Sequence, residues 1–234
     1  MSSFAIFRTD GFLFILRWFH VLAGITWIGL LYYFNFVQGP FFAETDAATK
    51  SGAIQKLVPR ALWWFRWSAM ATTLVGLAML AIYGQQSPDI FKQGYGVIIL
   101  TGSALGLLMF YNVWFVIWPN QKIVIASATG VAQGKAADPA AAGAGARAGV
   151  ASRTNVLFSM PMLFFMLGAR HLGIQVNPEA SLLPLVIVLA VILGALEFNA
   201  LKGKSGPLTT IPGVIHSSLG LTVGLYFIVE FLTK

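Results

Sequence analysis

Cysteine is missing from all 234 residues. That excludes disulfides, cysteine-bound zinc, iron–sulfur clusters and covalently attached haem c, which needs C-x-x-C-H. A metal in this chain has only His, Met, carboxylate or backbone to hold it. Charge is scarce too, at 10% of residues, where soluble domains carry about 25%. So few charges cannot build a water-exposed surface, and lipid must be the solvent for most of the chain. Also missing are a phosphate-binding glycine loop, an H-E-x-x-H pair and a nucleophile elbow. No pair of carboxylates lies in an apolar run, and no inverted repeat is evident, which argues against a small-solute transporter.

Apolar sequence fills the space left. Hydrophobic residues make up 57% of the chain, with mean hydropathy +0.77. A spanning helix needs about 20 mostly apolar residues. Six segments qualify, at 11–37, 61–83, 95–118, 154–172, 181–201 and 208–232. The fold class expected is all-α, a polytopic membrane helix bundle forming one transmembrane domain over 1–234. The start, Met1 to Asp10, reads as retained sequence, because the apolar run after it is too long for a signal peptide. The Ala/Gly-rich stretch within 121–152 reads as a flexible or partly helical loop.

With six spans, ten of the fifteen Lys and Arg residues fall on the side of loops 38–60, 119–153 and 202–207. The positive-inside rule makes that side cytoplasmic and places both termini outside. The net charge of +7 thus sets topology and is no nucleic-acid footprint. Trp and Tyr at span ends form aromatic belts. Gly102 and Gly106, a G-x-x-x-G, mark a close helix contact.

Ionisable residues inside a membrane are costly and therefore candidates for function. Arg17, His20, Gly24 and Trp27 share one helical stripe through their three- and four-residue spacings. That stripe suits haem b, with His20 on iron, Gly24 for clearance, Trp27 against the ring and Arg17 on a propionate. It equally suits a histidine hydrogen-bonded across a helix interface. His171, beside Arg170 at the end of the fourth span, is expected on the same side and at similar depth as His20. It is the candidate second axial ligand, with Arg170 a second propionate partner. His216 falls about 12 Å deeper by helix rise. It suits a second site or a hydrogen bond to a neighbouring serine. Arg66 and Glu197 sit just inside their span ends, where an ion pair, snorkelling or a proton path is open to them. Asn112 and Asn155 can join helices or hold a ligand.

Three stretches carry a family resemblance: His20–Phe36, HVLAGITWIGLLYYFNF; Arg66–Leu74 with Asn112–Ile123, RWSAMATTL and NVWFVIWPNQKI; and Ser152–His171, SRTNVLFSMPMLFFMLGARH. Together, over residues 11–172, they resemble the membrane domain of the bacterial membrane-bound urate oxidase (urate hydroxylase) family. The last two spans carry no such resemblance. The family implies urate oxidation in the bacterial inner membrane, with electrons passed to a c-type cytochrome. It also implies a cytochrome c domain after the last span, whereas this sequence stops at Lys234 without a cysteine. The expected partners are therefore the lipid bilayer and a separate c-type cytochrome or other respiratory complex subunits. Urate is a polar anion and needs cationic, hydrogen-bonding groups. Arg17 with Arg170 offers these outside, and Arg66, Asn112 and Asn120 form the alternative on the cytoplasmic side. No catalytic residue is assigned. The competing reading is a cofactor-free subunit of a respiratory membrane complex, with the histidines joining helices.

Overall fold

The computed structural model describes residues 4–234. Residues 1–3, part of the start expected to be retained, lie outside the described residues. Among the described residues, besides three short 3-10 turns, seven helices run in order: α1 Thr9–Glu44, α2 Ala47–Lys56, α3 Val58–Gln86, α4 Gly94–Ala132, α5 Ala141–Gly168, α6 Leu183–Lys202 and α7 Ile211–Leu232. No strand occurs among the described residues. All but the short α2 are long and apolar enough to cross a membrane, so the six expected spans are present and the fold is an all-α membrane bundle. α4 and α5 are its centre. Their most apolar stretches are 50% and 56% buried, against 17–22% for the other four spans. Those outer helices turn most of their apolar surface outward, as contact with lipid requires.

Two of the expected boundaries move for the same reason. α1 runs on to Glu44 past Pro40, and α4 runs on to Ala132 past Pro119. A proline ring clashes with the carbonyl four residues earlier and normally ends a helix. Here a wider π-helical turn precedes each one, at Tyr33–Gln38 and Asn112–Ile117. In these turns Gly39 N–H reaches Phe34 O and Trp118 N–H reaches Val113 O, five residues back, and the helix continues. The 121–152 stretch is helical except for 133–140: the run-on of α4 supplies its first part and the start of α5 its last. Alanine is the best helix former, and Ala144, Ala148 and Ala151 of α5 are fully buried; α5 packs against the second half of α4 among its neighbours. The intervening turn is closed by Gly134 at φ 81°, with Lys135 N–H returning to Gly130 O at 3.0 Å. Only glycine adopts that conformation freely.

α5 also contains a proline, Pro161. It leaves Leu157 O without its helical donor, and a bare carbonyl inside a membrane costs several kcal/mol at roughly the scale of a lost hydrogen bond. Ser218 of α7 supplies the donor, its Oγ lying 2.7 Å from Leu157 O and 3.3 Å from Val156 O. The defect in α5 thereby becomes the docking point of α7. At the far end Asn177 N–H bonds Thr233 O at 2.8 Å, tying the 173–180 loop to the end of α7.

The bundle's packing is uneven. α1 lies along α3, and α4 along α5, while contacts between these two pairs are sparse. Gly102 lets α4 approach α5 so closely that an added Cβ would sit 3.2 Å from Met166 N, which confirms it as a helix contact. Gly106 instead faces a gap between the two pairs.

Candidate functional site

That gap is a cavity of about 380 Å³, within the roughly 300–1,000 Å³ range of small-molecule sites. His20, Gly24 and Trp27 line it from α1, Thr72 and Gly76 from α3, Ser103 and Gly106 from α4, and Met162 and Met166 from α5. Three of the four stripe residues therefore meet in one cavity. The His20 ring is fixed there by a 2.8 Å hydrogen bond from Nδ1 to Thr72 O. A carbonyl only accepts, so Nδ1 carries the hydrogen and Nε2 of the neutral ring keeps its lone pair. Metal-binding histidines are commonly oriented by this kind of bond. Gly76 makes room for the ring, since a Cβ there would fall 3.0 Å from His20 Cε1. The clearance expected of Gly24 is looser: a Cβ there meets only Thr72 Cγ2, at 3.8 Å. Trp27 is 2% exposed, and its indole N–H has no hydrogen-bond partner. A buried donor left unpaired beside a cavity is a place for a ligand acceptor.

Arg17, the fourth member, points elsewhere. It lines a second cavity of about 480 Å³ with Asp10, Leu13, Tyr83, Gln86 and Arg170. Tyr83 Oη accepts from both guanidiniums, that of Arg170 at 3.2 Å. Arg170 also lies 4.9 Å from the Tyr95 ring centre. Arg17 stands about 4.5 Å along α1 from His20, and Tyr83 about 10 Å along α3 from Gly76, by helix rise. The cationic cluster thus lies one to two turns from the His20 cavity. Sequence spacing could not reveal Tyr83, which joins the two arginines across 66 and 87 positions.

The other expected site residues are dispersed. α5 ends at Gly168, so His171 sits in the following turn, exposed, with its N–H on Gly168 O at 3.0 Å. It lines neither cavity, and the expected His20–His171 pair is not brought together. His216 is exposed on α7 and also lines neither. The serine of its neighbourhood that bonds across helices is Ser218, and the partner is α5 backbone. Arg66 makes no ion pair among the described residues. Its guanidinium stacks 3.7 Å from the Trp118 ring centre, and Trp114 Nε1 donates to its carbonyl at 3.2 Å. Asn120 is taken up by Val116 O at 2.7 Å and Arg147 Nε at 3.1 Å. Asn112 is fully buried with Asn155 and Glu197. Arg66, Asn112 and Asn120 therefore form no common anion pocket.

A six-span helical bundle with a histidine-bearing apolar cavity beneath a cationic cluster is the class of protein defined so far. The sequence model of the family described as urate oxidase N-terminal matches residues 88–223. The chain belongs to that family. The match covers α4, α5, α6 and half of α7, so the last two spans are part of the family sequence, contrary to the resemblance read over 11–172. It includes Arg170, Asn112 and Glu197, while His20 and Arg17 precede it. No curated protein matches the chain, and no solved structure does.

Proposed function

We propose that this protein is a membrane redox protein with haem b in the cavity between the α1–α3 and α4–α5 pairs, and that it transfers electrons between a small substrate and a periplasmic c-type cytochrome. The substrate by family is urate. The observation that carries the reading is the His20 ring, anchored through Nδ1 on Thr72 O with Nε2 unbonded in a glycine-walled apolar cavity. The donor set fits the group. His20 offers the axial nitrogen, and Met162 and Met166 line the α5 side. Trp27 offers an unused N–H, and Arg17 and Arg170 suit propionates one to two turns away. Haem b, when bound, supplies one-electron redox chemistry. The chain's own part is to hold a neutral imidazole in place, exclude water with apolar walls and attract anions to the arginine cluster.

The charge bias supports an inner-membrane topology with both termini and that cluster on the periplasmic side, where a soluble cytochrome would dock. The same His20–Thr72 bond also supports the cofactor-free reading, because it joins α1 to α3 by itself. A reduced-minus-oxidised absorption spectrum of the purified protein separates the two. We expect a haem b α-band that is lost in His20→Ala and kept in His171→Ala and His216→Ala. A featureless wild-type spectrum, or a band that survives His20→Ala, would overturn the proposal. Reduction of the band by added urate then tests the substrate.

A further inference from the structure

A second polar site lies within the bundle, and its residues line neither cavity. Asn112 of α4, Asn155 of α5 and Glu197 of α6 meet there, the two amides at 0% exposure and the carboxyl at 8%. The orientation of each group follows from a backbone carbonyl. Asn155 Nδ2 donates to Met109 O at 3.0 Å, so Asn155 Oδ1 must face the other way as acceptor. Asn112 Nδ2 fills it at 3.0 Å and gives its second hydrogen to Glu197 Oε2, also at 3.0 Å. Two buried oxygens are then left without a donor, Asn112 Oδ1 and Glu197 Oε1. Both belong to the same amide–carboxyl pair. A single hydrogen on Oε1, donated to Asn112 Oδ1, would satisfy both at once.

Among the described residues no cation bonds to Glu197 in its place. The ion pairs among the described residues are Lys92–Asp89 and Lys234–Glu230. On the elements around Glu197, Arg147 of α5 is bonded to Asn120, Lys122 of α4 lies over Trp118, and Arg66 of α3 stacks on Trp118. Arg153 of α5, His216, Tyr226 and Glu230 of α7, and Lys202 at the end of α6 make no hydrogen bond or ion pair with it. An ionised carboxylate with one neutral donor in such a place is strongly disfavoured. Asn112 also opens the π-helical turn of α4, a feature that recurs at functional sites.

We infer that Glu197 is a proton-binding site inside the membrane, a carboxylic acid that holds its proton against Asn112 and exchanges it when that pair opens. The inference does not depend on haem, and its test needs none. Infrared spectra of wild-type protein labelled with ¹³C-glutamate, at neutral pH in lipid, should show a protonated-acid carbonyl band that moves with the label. The remaining glutamates are distinguishable by setting: Glu44 and Glu179 are exposed and Glu230 is paired with Lys234. Glu197→Gln should abolish the band, while His20→Ala should leave it in place. Labelled wild-type protein showing only carboxylate bands overturns the assignment. So does an acid band that persists in Glu197→Gln. If that variant fails to fold, Asn112→Ser serves instead, and an unshifted acid band there also overturns it.

Discussion

Replacing Gly76 by alanine tests the His20 site without any ligand. The new Cβ would sit 3.0 Å from His20 Cε1 and 3.2 Å from Nδ1, tighter than most packed contacts, so the ring must give by a few tenths of an ångström. The ring cannot retreat freely, because Nδ1 is held 2.8 Å from Thr72 O. Either the ring shifts and weakens that bond or the helices separate. Overpacking of this kind costs about 1–3 kcal/mol. Glycine to alanine inside a helix also gains about 1 kcal/mol in propensity, so the net effect alone is ambiguous. Gly24→Ala is the control. It carries the same propensity gain, and its Cβ meets only Thr72 Cγ2 at an ordinary 3.8 Å. The two variants should therefore differ by about 1–3 kcal/mol, read as midpoint shifts of unfolding in detergent. His20→Ala removes the clashing ring, so the difference should largely vanish in that background. Equal stabilities for the two variants, or a Gly76→Ala deficit unchanged by His20→Ala, would refute the packing argument.

Ser218→Ala should cost about 0.6 kcal/mol, the mean for interhelical hydrogen bonds in membranes. Less should be lost in Pro161→Ala, which restores a helical donor to Leu157 O, and a double-mutant cycle on unfolding free energy measures the coupling. Arg66→Met and Trp118→Leu should couple by about 1–2 kcal/mol in the same assay, as a partly desolvated cation–π pair does. Asp46 caps α2 outside the spans, accepting from the Thr49 hydroxyl at 2.6 Å and from the Thr49 and Ala48 N–H groups at 2.9 Å. The Thr49 hydroxyl foremost, with those amides, holds the carboxyl below its ordinary value. The depressed value means the cap is fully formed above the ordinary carboxylate range and is lost as pH falls through the lowered one. Amide exchange at Ala48 and Thr49 should accelerate on acidification in wild type and be fast and pH-independent, after correction for intrinsic exchange, in Asp46→Ala.

The six spans were legible in the sequence, because burial in lipid demands runs of about 20 apolar residues whatever their neighbours. The stripe of His20, Gly24 and Trp27 was legible for a similar reason, since helical spacing alone puts them on one face. Their partners were not. Thr72, Gly76 and Tyr83 lie on another helix, and nothing in a linear pattern says which faces of α1 and α3 meet. The pairing of His20 with His171 failed on a local matter: α5 ends three residues before His171, and the turn leaves that ring exposed. The helices beyond Pro40 and Pro119 were hidden because a π-helical turn is a backbone adjustment that residue preference does not record.

Composition and periodicity by themselves determined the solvent of this protein, the number of its spans and which residues of α1 share a face with His20. Only the tertiary structure decided what that face meets. It joined Arg17 to Arg170 through Tyr83, docked Ser218 on the carbonyl freed by Pro161, and closed Asn112, Asn155 and Glu197 into one buried group. The division has a physical cause. Transfer into lipid is a property of each segment alone, whereas a hydrogen bond between helices depends on two rotations and a depth that only packing sets.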